Sequence, residues 1–160
     1  MNNEVNYYKL VIILLAAFFL QTTLFGQLLG FFSPNLILMI LVAGAFLSCD
    51  SDFLIVAFLS GVVLDIFSSS GFGIFPFCFL MTLLFVCFLK AKFIKERNFA
   101  KIIIFAALAA IFCNLLYFFI FYFVFSAEIG PDYGFLLQRT AWDLILSAIF
   151  VHPFIRMISK

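Results

Sequence analysis

The chain reads as an all-α, polytopic membrane protein: a compact bundle of six transmembrane helices with both termini in the cytoplasm. Three observations predict this. First, its 160 residues are 67% apolar and only 11% charged, with a mean hydropathy of +1.28, against about 45–50% and about 25% for a soluble domain. No water-soluble core of this length hides such an excess, so lipid must be the solvent for most of it. Second, apolar runs of helical length alternate with short polar or Gly/Pro breaks. Third, the basic residues collect on one side of the topology that those runs define. A single integral-membrane domain over 1–160 leaves no room for a separate soluble domain or a nucleic-acid-binding patch.

Helix one is expected at 8–25. Its only basic residue is Lys9, at its start, and no small-x-small cleavage site lies near its end, so it reads as a retained span and not a signal peptide. From Leu10 to Cys49 there is no charge, which is too long for one crossing of about 20 residues. Gly26, Gly30 and Pro34 divide the run. Pro34 suits the first turn of helix two (34–49), where its missing N–H does no harm. Cys49-Asp50-Ser51-Asp52 is a polar break, and Asp50 or Ser51 is placed to cap helix three (52–67). Helices two and three are short, and a full crossing is preferred to a hairpin that stops inside the bilayer. Ser68 to Gly73 forms a turn before helix four (74–89), whose first turn holds Pro76. A charge cluster from Lys90 to Lys101 leads into helix five (102–125), where Asn114 is expected to bond across helices. The Glu128–Asp132 stretch is a loop, and helix six (135–158) is the least apolar, with Arg139, Asp143, His152 and Arg156. Of the nine Lys and Arg residues, only Arg139 falls in the half opposite the termini, which places both termini inside.

The residue that most needs an explanation is Asp65, an acid near the end of an apolar run. Such a group costs roughly 2.5–3.5 kcal/mol at mid-bilayer. The topology brings Asp65, Arg139, Asp143 and Gln21 to a similar depth in the outer leaflet. Arg139 and Asp143 are four apart and share a face, and a guanidinium serves two carboxylates at once. An intramembrane Asp65–Arg139 pair between helices three and six is therefore expected. It would fix helix packing; a titrating or substrate-binding role, and separate snorkelling of the two groups to the surface, are the other readings. Gly61, with Ala57 four residues earlier, would let a neighbouring helix approach closely.

The four cysteines, Cys49, Cys78, Cys87 and Cys113, read as small apolar residues within helices. No nucleophile–base pair, metal-ligand cluster or phosphate loop is visible, so no enzymatic activity, metal or cofactor is expected.

Gly61-Val-Val-Leu-Asp65-Ile-Phe-Ser68 followed by Gly71-Phe-Gly73-Ile74 resembles the rod shape-determining MreD family. Gln21-Thr22-Thr23, Pro34-Asn35-Leu36 and Pro153 fit its pattern too, although that family usually carries an acid where this chain has Asn35. The resemblance implies a non-enzymatic scaffold of the bacterial elongation machinery in the cytoplasmic membrane. Its partners would be MreC, a single-span protein, the elongation transpeptidase and glycosyltransferase, and the actin-like MreB. It also implies that Gly61, Ser68, Gly71, Gly73 and Pro34 are packing and turn residues. The runner-up reading is a substrate-binding subunit of an energy-coupling-factor vitamin transporter, with Asp65, Arg139 and Gln21 lining an outward pocket.

Overall fold

The computed structural model describes residues 6–25, 35–67, 73–93, 99–125 and 133–158. Among them are six α-helices and one π-helical turn. Helix α1 spans Tyr7–Leu20 and continues into the π turn Gln21–Phe25. Then come α2 (Leu36–Leu47), α3 (Ser51–Phe67), α4 (Ile74–Phe93), α5 (Phe99–Phe125) and α6 (Tyr133–Ile158).

Helix α2 is the axis of the molecule. All of its residues from Leu36 to Leu47 are buried, and α1, α3, α4, α5 and α6 all pack on it. Around it α3 lies against α4, α4 against α5, α5 against α6 and α6 against α1. Phe18 of α1 meets Phe67 of α3 edge to face, with ring centroids 5.0 Å apart, which closes the ring. Expected at 34–49 as one crossing among six, α2 is instead a 12-residue helix, about 18 Å long at 1.5 Å per residue, sheathed by protein on every side. Residue Pro34 lies outside the described residues, as do Ser68 and Gly71.

Among the described residues, two helices are long and apolar enough to cross a bilayer, over Ile74–Lys92 and Ile102–Ile120; Tyr7–Thr23 and Leu36–Leu47 are apolar but shorter. The outward faces of the surrounding helices carry large apolar side chains, among them Ile12, Phe67, Phe88, Phe123 and Leu137 (71% exposed). Polar side chains do the reverse: Gln21, Asn35, Asp65, Thr82, Asn114, Arg139, Asp143 and Ser147 are buried. That inversion is the expected arrangement when lipid is the solvent.

Glycine 61 sets the α3–α4 contact. A Cβ there would lie 2.6 Å from both Cα and N of Pro76, so the two helices meet backbone to backbone. Ala57, one turn earlier, is fully buried. Helix α4 runs beyond its expected end at 89 to Phe93, carrying Lys90 and Lys92 on its last turn. Lys90 Nζ donates to the Ala45 carbonyl at 3.0 Å, placing a cation at the C-terminal end of α2.

The reading of all four cysteines as isolated apolar residues is corrected for two of them. Cys49 and Cys87 are joined in a disulfide, with Cα atoms 6.0 Å apart, tying the α2–α3 connection to α4. Their separation of 38 residues gives no local pattern to read. Cys78 and Cys113 are free and buried.

Candidate functional site

The N-terminus of a helix leaves its first amides without intrahelical partners. In α2 those amides are buried, and side chains from three helices supply what water would supply elsewhere. Asn35, the N-cap, accepts from the Leu38 amide at 3.1 Å. Asp143 of α6 accepts from the Asn35 amide at 2.9 Å. Gln21, in the π turn after α1, accepts from the Ile37 amide at 3.5 Å. The second carboxylate oxygen of Asp143 accepts from Asn114 Nδ2 of α5 at 2.8 Å, the interhelical bond expected of Asn114. The Asp143 carboxyl thus sits at the positive end of the α2 dipole. The π turn changes the helical register at Gln21, and Thr22 and Thr23 bond back to the carbonyls of Phe18 and Phe19.

Asp65 serves α4 in the same way. Its carboxylate accepts from the amides of Gly73 and Phe75, the latter at 3.1 Å. Gly73 has φ +98°, a left-handed conformation that only glycine adopts readily. This turn points two early amides at the acid below.

The expected Asp65–Arg139 ion pair is not among the contacts of the described side chains. The acid's charge is met by helix amides, and the two residues are linked indirectly. The Phe75 whose amide binds Asp65 stacks on Tyr117, with centroids 5.3 Å apart, and the Arg139 guanidinium lies over the other ring of that stack, 4.7 Å from the Tyr117 centroid. Arg139 is 9% exposed, and its Nε has no hydrogen-bond partner. Among the described residues no cluster of His, Cys, Asp or Glu is arranged to hold a metal.

The four sequence-nominated polar residues thus fall in two capping sites and an arginine–aromatic stack. Sequence reasoning missed Tyr117 and the capping role of Asn35. A Pro-Asn pair opening an apolar run was the available signal for Asn35; Tyr117 had none.

The chain matches the family model described as rod shape-determining protein MreD over residues 3–160. No curated protein and no solved structure matches it.

Proposed function

The chain belongs to the rod shape-determining protein MreD family and is a non-enzymatic membrane protein of rod-shape determination; from that premise we propose that it acts as a rigid membrane scaffold, crossing the bilayer six times with both termini in the cytoplasm. Its outer faces receive the transmembrane helix of a single-span partner, MreC. Through that partner it influences the elongation transpeptidase and glycosyltransferase, in step with MreB.

One observation carries this reading. The polar groups that a solute-binding subunit would present to its ligand are turned to structural use: Gln21, Asp143 and Asp65 bond helix amides. The space beside Asp143 and Ser147 is a cavity of about 10 Å³, room for one water. The perimeter left for recognition is apolar, and in lipid such faces associate through packing.

Co-expression with tagged MreC tests the proposal. The single-span protein is expected to stay with this chain through purification in mild detergent. Loss of the pair under those conditions, or tight saturable binding of a vitamin by the isolated chain, would overturn it.

A further inference from the structure

Among the described residues, the Arg139 guanidinium at the capped end of the bundle meets no carboxylate at hydrogen-bond distance. Asp65 and Asp143 both spend oxygens on helix N-termini. Arg139, nine-tenths buried, makes no hydrogen bond with any described residue, and its Nε is left without a partner. Stacking on Tyr117 stabilises the cation's face but uses none of its five donors, which lie in the guanidinium plane. A buried donor without a partner costs about 1–3 kcal/mol.

We propose that Arg139, held flat on Tyr117, is a receptor for the phosphate of a membrane lipid headgroup. The guanidinium fork matches phosphate oxygens two at a time. Position favours this ligand. Arg139 lies six residues into α6, counted from Tyr133, about 9 Å along the axis, and helical side chains lean toward the N-terminus. The guanidinium is therefore directed toward the end of the bundle where headgroups lie. The two helices that carry Tyr117 and Arg139 also suit a lipid: Phe119 and Phe123 of α5 and Leu137 of α6 are exposed apolar groups for acyl chains, and Tyr122 and Trp142 are exposed aromatics of the interfacial kind. A carboxylate on a partner's helix would have to enter the bilayer at roughly 2.5–3.5 kcal/mol, whereas phosphates already line its surface. The inference rests on the bundle lying in a bilayer and not on its having a protein partner.

Native mass spectrometry of the purified full chain, titrated with phosphatidylglycerol, tests it without any partner present. Wild type is expected to retain one lipid, with apparent affinity roughly tenfold above that of Arg139→Met. Arg139→Lys, which keeps the charge and loses the fork, should fall between them. If Arg139→Met does not purify as a monodisperse species, Tyr117→Leu takes its place and should weaken retention in the same direction. Equal retention by wild type and variants would overturn the proposal, as would equal retention of diacylglycerol, which has no phosphate. Displacement of the lipid by millimolar inorganic phosphate would also overturn it, because the site would then read free phosphate and not a lipid.

Discussion

Asp143 accepts one hydrogen bond from the Asn35 amide and one from Asn114, and substitution separates the two. Asp143→Asn keeps an oxygen for the amide, and Asn114 can rotate its carboxamide to accept from the new NH₂, so the expected loss is about 1 kcal/mol. Asp143→Leu leaves the Asn35 amide and Asn114 buried without their partner, and a loss of roughly 2–4 kcal/mol is expected. Thermal denaturation in detergent should rank wild type, Asn and Leu in that order. Adding Asn114→Leu to Asp143→Leu should cost much less than Asn114→Leu alone, since one orphan is removed with its partner. Additive losses would show that the bond contributes nothing. The acids, Gln21 and Asn114 are all visible in the sequence because a polar residue in an apolar run is conspicuous. Their real partners are not visible. A backbone amide at a helix start has no residue-type signature, so the only counter-charge that the sequence offers Asp65 at its expected depth is Arg139.

At the scale of elements, six apolar helices can be read from spacing and breaks, but not which of them is central. A helix surrounded by protein and one surrounded by lipid are both apolar all round, and α2, with every residue buried, gives no periodicity to tell them apart. Its shortness and its Asn35 start were the only clues. The α3–α4 hairpin was more legible, because Ala57 and Gly61 mark a close approach by size alone. Gly61→Ala puts a methyl 2.6 Å from the Pro76 backbone, and backbone cannot rotate away as a flexible side chain could. The expected cost is about 1–3 kcal/mol, read as a lower melting temperature in detergent. Leu59→Ala, on the exposed face of the same helix, should change it little. Equal effects from the two would mean that α3 and α4 do not meet as described.

Over the whole molecule, charge follows the dipoles of two parallel helices. Asp143 and Asp65 stand at the N-termini of α2 and α4, while Lys90, on the last turn of α4, reaches the C-terminal carbonyls of α2. Acids at one end and lysines at the other satisfy both dipoles, and the same lysines belong to the basic excess from which cytoplasmic termini are proposed. The Cys49–Cys87 bond lies at the lysine end, which makes it a probe of orientation. If that end faces the cytoplasm, thiol-reducing systems there hold the pair reduced, and the bond forms only on exposure to an oxidant such as air. Cells quenched in acid, then denatured and alkylated with a mass-tagged maleimide, are expected to show Cys49 and Cys87 labelled together with Cys78 and Cys113. Protein purified in air and denatured without reductant should label only the latter two. Finding Cys49 and Cys87 already protected in the acid-quenched cells would put the lysine end on the oxidising side and invert the bundle, against its own positive charge.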